Sequence, residues 1–195
     1  VVLPQLKIQE ARKKDLCIWC GASSTGQEPY MLAMLLMDFF GLDHEEWDTK
    51  VLATDIAMDV LQHAAAGIYE KEQIECLPDN WKRRYMRPID GGERYEMSDE
   101  IKKEVLFRKL NLMDEFPFKR KMHVVFLRNV MIYFDKETKK EIRGKIANIV
   151  DEAYDMMIDR FVEPFNGEKQ DTEEKEKKEA NAKKKIVDAI DDAFD

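Results

Sequence analysis

The chain has 195 residues, of which 44% are hydrophobic and 37% carry a charge, and its formal net charge is −8. This length and apolar content suffice for one domain with a substantial core. The acidic balance argues against binding to nucleic acid, and no apolar run is long enough for membrane insertion. The leading residues VVLPQLKIQEARKKD lack the layout of a signal peptide, so we expect a cytoplasmic protein.

Apolar runs and helical periodicity alternate along most of the chain. In chain order, the pattern predicts a strand at 16–21, a helix at 28–40, a strand at 50–56, a helix at 57–69, strands at 104–112 and 122–130, and a helix at 136–154. Residues 70–100 are charged and irregular, and no element is predicted there. Buried strands that alternate with helices indicate an α/β fold on a mostly parallel sheet.

Cysteine and histidine provide no evidence for a metal site or a disulfide framework. Cys17 and Cys20 form a C-x-x-C in the strand-like run LCIWCG, where residues three apart point to opposite faces of the sheet. We therefore expect two thiols packed at the core or at its edge. His44, His63 and His123 have no ligand-type neighbours, so packed or solvated histidines and no metal are expected.

The stretch GASSTGQEPYMLAMLL, residues 21–36, is the candidate ligand loop between the first strand and its helix. Gly21 and Gly26 have the spacing of a P-loop, but Gln27 and Glu28 stand where Lys and Ser or Thr would hold phosphate and magnesium. The G-x-G-x-x-G spacing of a dinucleotide-binding turn is absent. A cationic ligand without phosphate, such as S-adenosylmethionine, is the third interpretation, and Asp55 at the end of the second strand is placed to hold its ribose.

Glu28 also has a purely structural explanation. Pro29 suits the first helical turn, where its missing N–H costs little. A carboxylate just before it complements the helix dipole, so Glu28 either caps the helix or faces a cationic ligand.

Four blocks in order resemble the CheR-type chemotaxis receptor methyltransferases: IWCGASSTGQEPYMLAMLL, VLATDIAMDVLQHAAAGIY, VLFRKLNLMDEFPF and VVFLRNVMIYFD, within about residues 16–135. The resemblance implies a Rossmann-like, S-adenosylmethionine-dependent methyltransferase fold with an atypical C-terminal part. It further implies methyl transfer to glutamate side chains of bacterial chemoreceptors, with S-adenosylhomocysteine as the product. The alternative is a diverged or truncated S-adenosylmethionine-binding signalling module without catalysis.

The resemblance also implies roles for individual residues. Glu28 would lie by the methionine or ribose part of the cofactor, and Asp55 would bind the ribose hydroxyls. Tyr133 would place its hydroxyl near the methyl group. The implied cofactor-binding residues are Gly21, Thr25, Gly26, Glu28, Asp55, Asn111, Leu112, Arg128 and Asn129, with Asn111 and Leu112 beside the adenine, and the implied catalytic residues are Tyr133 and Arg128.

Three segments are predicted from the resemblance and from composition. Residues 1–15 are expected to be a linker from a missing N-terminal helical domain, 16–165 the methyltransferase domain, and 166–195 a charged helical or disordered appendage. The Pro-Gly-Gly turn and closing hairpin of the family are not evident after the last predicted helix. The expected partners are cytoplasmic chemoreceptor segments, and the basic run WKRRYMR, residues 81–87, is either a contact for them or a solvated helix face. No oligomeric state follows from the sequence.

Overall fold

The computed structural model describes residues 2–150. Its strands are β1 (Ile18–Gly21), β2 (Val51–Asp55), β3 (Ile68–Glu70), β4 (Met86–Ile89), β5 (Arg94–Met97), β6 (Val105–Lys109) and β7 (Val124–Phe126). Its α-helices are α1 (Val2–Gln9), α2 (Gln27–Phe40), α3 (Met58–Ala66), α4 (Asp79–Tyr85), α5 (Asp99–Lys103) and α6 (Lys136–Ile149). Short 3₁₀ turns cover Gly41–Glu46, Lys71–Ile74, Asp90–Gly92 and Met131–Tyr133. The expected end of the methyltransferase domain and the charged appendage lie outside the described residues.

The main sheet has four parallel strands in the order β6-β2-β1-β7, which confirms the predicted α/β fold. From β1 the chain moves outward to β2 and then to β6, whereas β7 joins the opposite side of β1. The strand order therefore reverses between β1 and β7. In open α/β sheets, ligands bind at this switch point, outside the carboxyl ends of the strands.

Successive side chains of β1 point to opposite faces of the sheet and belong to two separate hydrophobic clusters. Ile18 and Cys20 belong to the larger cluster, which includes the buried side of α2, and Trp19 belongs to the cluster covered by α6. All four β1 residues are buried, as expected for a central parallel strand. The end of β1 is consequently held rigidly between two packed layers.

The four predicted strands and three predicted helices exist, but several of their boundaries are wrong. Strand β6 ends at Lys109 instead of residue 112, and helix α6 ends at Ile149 instead of residue 154. Helix α3 ends at Ala66 instead of residue 69, because Gly67 adopts the left-handed conformation (φ 64°) that terminates helices. The next residue, Ile68, already begins β3. Strand β7 is shorter than the predicted range 122–130, since its pairing with β1 ends at Phe126.

A second sheet lies mostly within the irregular segment 70–100, to which the sequence pattern assigned no strand. Strands β3, β5 and β4 form a three-stranded antiparallel sheet in the order β3-β5-β4. This small sheet follows α3 directly and precedes α5 and β6. It is an insertion between the second and third strands of the parallel sheet.

The leading residues contain a helix rather than only extended chain. Leu6 of α1 is fully buried in the larger hydrophobic cluster. Part of the segment expected as a linker thus packs as part of the domain, and its connection to a further helical domain stays a prediction. No helix within residues 2–150 has the length and apolarity needed to cross a bilayer.

Candidate functional site

The loop after β1 has an unusual backbone. Ala22 (φ 54°), Ser24 (φ 49°) and Gly26 (φ 92°) all have positive φ angles, which non-glycine residues adopt only at a cost. The neighbouring strand supports this loop, since Ser23 donates its backbone N–H to the carbonyl of Thr54 (2.9 Å). The loop is therefore held in one defined conformation at the switch point.

Two glycines of the predicted site owe their presence to close packing. A Cβ on Gly26 would lie 2.8 Å from the Cβ of Ala64 and 3.0 Å from the hydroxyl of Tyr69. A Cβ on Gly21 would lie 2.5 Å from Cδ2 of Leu127, the residue just after β7. Glycine at these positions lets the loop approach α3 and lets the ends of β1 and β7 lie together.

Thr25 contributes mainly through its backbone. The Tyr69 hydroxyl donates a hydrogen bond to the carbonyl of Thr25 (2.7 Å), and the Thr25 hydroxyl bonds to Gln27 Oε1 (2.8 Å). Burial raises the pKa of Tyr69, so its hydroxyl remains a donor at physiological pH. Tyr69 thus fixes the loop from the side of β3, a role that sequence reasoning missed.

Asp55 ends β2 and holds two backbone groups. Its Oδ2 accepts a hydrogen bond from the N–H of Ser24 (2.9 Å), and its Oδ1 accepts one from the N–H of Ala57 (3.1 Å). One carboxylate thereby connects the ligand loop to the start of α3. Because an ionised carboxylate has about four acceptor positions, each oxygen can still accept a further hydroxyl donor.

Glu28 lies in the first turn of α2 with 20% of its side chain exposed. Its Oε1 accepts a hydrogen bond from Nη1 of Arg128 (3.2 Å), and its Oε2 accepts one from the thiol of Cys20 (3.5 Å). Arg128 follows β7 and Cys20 belongs to β1, so the two strands at the switch point both contribute to this cluster. The structure brings together Glu28 and Arg128, which the sequence predicted, and adds Cys20, which was expected only as a packed thiol.

A cavity of about 230 Å³ opens beside this ion pair. It lies between the start of α2 and the segment from Tyr69 to Leu77. Its walls are largely apolar, with Met31, Met34 and Met97 among them, and Glu28 and Arg128 form a charged end. An apolar cavity with a few convergent polar groups is typical of a small-molecule site.

Asn111 and Leu112 follow β6. Asn111 Oδ1 accepts a hydrogen bond from the N–H of Met113 (3.1 Å), and its Nδ2 donates to Asp114 (3.3 Å). Leu112 is buried in the cluster that contains Trp19. Their place beside an adenine ring stays a prediction.

The segment after β7 places two predicted residues at the surface. Asn129 is exposed and has a positive φ angle of 58°, and Tyr133 is 80% exposed in the 3₁₀ turn that follows. Tyr133 does not line the cavity beside Glu28 and Arg128. The structure thus does not bring the predicted tyrosine into that cluster, and its proximity to a methyl group stays a prediction.

The cysteine thiols are free in the described part of the chain, and two of the histidines have defined side-chain or backbone contacts. Cys17, Cys20 and Cys76 are free thiols. His44 lies 3.1 Å from the hydroxyl of Thr49, and Nδ1 of His123 accepts a hydrogen bond from the N–H of Cys17 (2.8 Å). Across residues 2–150, no group of three or more His, Cys, Asp or Glu side chains is arranged to hold a metal ion.

The polar groups of the loop and its surroundings suit a ligand such as S-adenosylmethionine. The Ser23 hydroxyl is buried and has no hydrogen-bond partner among residues 2–150. A buried polar atom of this kind is unfavourable unless a ligand or water pairs with it. Two carboxylates, Glu28 and Asp55, flank the same loop and match a ligand with positive charge and hydroxyl groups.

Residues 1–178 match the family described as CheR methyltransferase, SAM binding domain. The chain belongs to this family. Among related proteins, it is 40% identical over 147 residues to the chemotaxis protein methyltransferase of Borreliella burgdorferi, a match that covers 74% of this chain and 52% of that protein. It is 39% identical over 144 residues to the chemotaxis protein methyltransferase of Escherichia coli, covering 71% and 49%. A probable chemotaxis protein methyltransferase of Rhizobium etli is 35% identical over 160 residues, covering 80% and 59%. The chain spans about half the length of these curated relatives.

Proposed function

We propose that this CheR domain binds S-adenosylmethionine and is part of an enzyme that methylates glutamate side chains of bacterial chemoreceptors. The products would be glutamate methyl esters and S-adenosylhomocysteine. Family membership supports the cofactor and the reaction class. The structural observation that carries the proposal is the position of Glu28, a carboxylate mostly shielded from water, beside a preformed loop at the β1–β7 switch point.

Two side chains near the loop suit the ribose and the positively charged part of such a cofactor. The free lone pairs of Asp55 accept ribose hydroxyls, while its existing bonds to the backbone of Ser24 and Ala57 keep it in place. Glu28 provides negative charge for a cationic ligand at the start of α2. When bound, the cofactor supplies a methyl group attached to a positively charged sulfur.

The substrate carboxylate needs no general base. A glutamate side chain has a reference pKa of about 4.3, so it is already an ionised nucleophile at neutral pH. The contribution of the protein is then to remove water from this carboxylate and to align it with the methyl group. Neither task requires a titrating residue at the site.

Arg128 is the residue best suited to orient the incoming carboxylate. Its side chain is 55% exposed, lines the cavity and makes one hydrogen bond to Glu28 through Nη1. A guanidinium presents several donors in a planar fork and binds carboxylates in two-point geometry. We assign Arg128 the orientation of the substrate, and we assign Tyr133, on its exposed turn, a hydroxyl contact to the reacting groups.

The partners we propose are the cytoplasmic segments of chemoreceptors, which also places the protein in the cytoplasm. The basic run 81–87 contributes less to this contact than its charge suggests. Arg84 pairs with Asp38 (2.8 Å) and Arg87 pairs with Glu96 (2.6 Å), so both are engaged within the domain. Lys82 also contacts the acid of its own helix, Asp79.

Calorimetric titration with S-adenosylhomocysteine tests the cofactor assignment, with Glu28→Gln as the control variant. We expect saturable binding to the 195-residue chain and clearly weaker binding to the variant, because the amide removes the negative charge. The complete absence of binding to the unmodified chain would contradict the proposal.

A second assay tests the reaction. Incubation of the protein with methyl-labelled S-adenosylmethionine and receptor cytoplasmic fragments should give label on the fragment that alkali releases as methanol, because methyl esters hydrolyse in base. Label that resists alkali would point to another acceptor group. Binding of S-adenosylhomocysteine without any label on the receptor fragment would indicate a module that binds the cofactor and does not transfer the methyl group.

A further inference from the structure

Cys20 contacts the predicted cofactor carboxylate from inside the protein. It is fully buried in β1, and its Sγ lies 3.5 Å from Oε2 of Glu28. The strand-like run around Cys20 predicts a thiol packed at the core or at its edge, and the proposed reaction makes no use of it. Its contact nevertheless involves Glu28, the side chain that provides negative charge for a cationic ligand at the start of α2.

The two hydrogen-bond partners of Glu28 differ in burial. Cys20 lies in a strand that is paired on both sides, with Ala53 of β2 and Phe126 of β7 as its neighbours in register. Arg128, the partner of Oε1, follows the last paired residue of β7 and is 55% exposed. A ligand can therefore displace the guanidinium from Oε1, whereas Oε2 remains fixed to the strand.

The thiol is suited to act as a donor here. Burial, followed by the nearby charge of Glu28, raises the pKa of Cys20. The side chain is consequently a neutral S–H group at physiological pH, and Glu28 Oε2 accepts its proton in a hydrogen bond.

We propose that Cys20 is a positioning residue for Glu28: its thiol anchors Oε2 and so directs Oε1 toward the positive charge of the cofactor. This inference rests on the proposed function, since it gives Glu28 a role toward S-adenosylmethionine. The thiol itself touches neither the cofactor nor the reacting atoms. Without the anchor, the Glu28 carboxylate loses one of its two side-chain hydrogen bonds and is free to rotate.

Affinity measurements with S-adenosylhomocysteine separate anchoring from simple packing. We expect Cys20→Ala to weaken binding about fivefold to tenfold, which lies within the range for loss of one ordinary hydrogen bond. Cys20→Ser keeps a donor and should stay within about twofold of the unmodified protein. Cys17→Ala is the matched control, because Cys17 is near Asp15 rather than Glu28 and should bind like the unmodified protein.

A double-mutant cycle then tests whether the effect passes through Glu28. In the Glu28→Gln background, Cys20→Ala should change the affinity by less than about twofold, because the anchored charge is already gone. An equal loss in both backgrounds would show that Cys20 only fills space, and an unchanged affinity in Cys20→Ala would also overturn the inference.

Infrared spectroscopy tests the contact without any ligand. In a Cys17→Ala, Cys76→Ala background, Cys20 supplies the single S–H stretching band, since the chain has three cysteines. We expect this band to move to higher frequency in Glu28→Ala, because the hydrogen bond to the carboxylate is lost. An unmoved band would refute the anchoring even where S-adenosylhomocysteine binds normally. A moved band in a protein that binds no S-adenosylhomocysteine would instead refute the proposed function and, with it, the role of the anchor toward the cofactor.

Discussion

Gly26→Ala tests whether the ligand loop is held by contact with α3. Gly26 has a φ angle of 92°, and an added Cβ would lie 2.8 Å from the Cβ of Ala64 and 3.0 Å from the hydroxyl of Tyr69. Both neighbours are fixed, since Ala64 is in a helix and Tyr69 is bonded to the carbonyl of Thr25. The loop, α3 or β3 must therefore shift to admit the methyl group.

The expected loss of stability has two parts. Placing alanine in a left-handed conformation costs about 1–2 kcal/mol. Overpacking against fixed neighbours adds about 1–3 kcal/mol. The free energy of unfolding should thus fall by roughly 2–5 kcal/mol, which for a protein of this size corresponds to a melting temperature lower by roughly 4–20 °C.

Gly91→Ala provides the matched control. Gly91 also has a positive φ angle (71°), but a Cβ there would meet nothing within 4 Å. Gly91→Ala should therefore lower the free energy of unfolding only by the cost of the left-handed conformation, about 1–2 kcal/mol. Urea unfolding followed by circular dichroism measures the stability of both variants, and an equal loss of stability in the two would refute the crowding of Gly26 against α3.

The second test is Ala64→Gly, which should recover part of the lost stability in the Gly26→Ala background by removing one clashing methyl group.

Three further changes test other parts of the structure. Trp19→Phe removes the buried hydrogen bond from the indole N–H to Thr54 Oγ1 (2.9 Å) and should lower the free energy of unfolding by about 1–3 kcal/mol; an unchanged urea midpoint would contradict this. The backbone and side-chain hydrogen bonds with Thr138 hold the pKa of Asp135 below its usual range in the folded protein. The ionised carboxylate therefore stabilises the folded state above about pH 4, and this contribution is lost as the pH falls through the pKa of the folded protein. Asp135→Ala should accordingly melt earlier at neutral pH, with a difference that narrows on acidification; a difference that is constant with pH would argue against this linkage. Tyr133→Phe should leave the free energy of unfolding within about 0.5 kcal/mol, because the side chain is 80% exposed, but it should slow methyl transfer to receptor fragments; full turnover would remove this tyrosine from the mechanism.

The parallel sheet could be predicted because its strands are buried on both faces. Such strands appear as short apolar runs between loops, and β1 is the clearest example, with every residue buried. The site could be located for the same reason, since residues that follow parallel strands meet at one edge of the sheet. Asp55 was predicted in this way, whereas Arg128 was implied by the family resemblance, and both lie at that edge.

The small antiparallel sheet was missed because its strands are short and charged. β4 contains Arg87 and Pro88, and Arg87 is paired across the sheet with Glu96, so no apolar alternation marks the strand. One local signal was present, however. Asp90 and Gly91 stand between β4 and β5 with positive φ angles, and Asp-Gly is a strong hairpin signal.

The contact between Cys20 and Glu28 lay beyond sequence reasoning for a geometric reason. Alternation along β1 assigns Cys20 to the face that α2 covers, but it does not fix how far along the helix that contact lies. The turn from strand to helix decides this, and its shape depends on the left-handed residues of the loop. Ala22 and Ser24 have positive φ angles although neither residue is a glycine, so the sequence contains no signal that predicts this conformation.

These two left-handed residues indicate how the domain prepares its site. Other interactions must offset the conformational strain of these two residues. Two hydrogen bonds do so: the N–H of Ser23 donates to the carbonyl of Thr54, and the N–H of Ser24 donates to the carboxylate of Asp55. Both supporting groups belong to the end of β2, which is fixed in the sheet. A ligand that binds this loop then has little ordering entropy to overcome, because these hydrogen bonds to β2 hold the loop in one conformation. The end of β2 therefore acts on the cofactor in two ways, through the proposed ribose contact of Asp55 and through the loop conformation that it maintains.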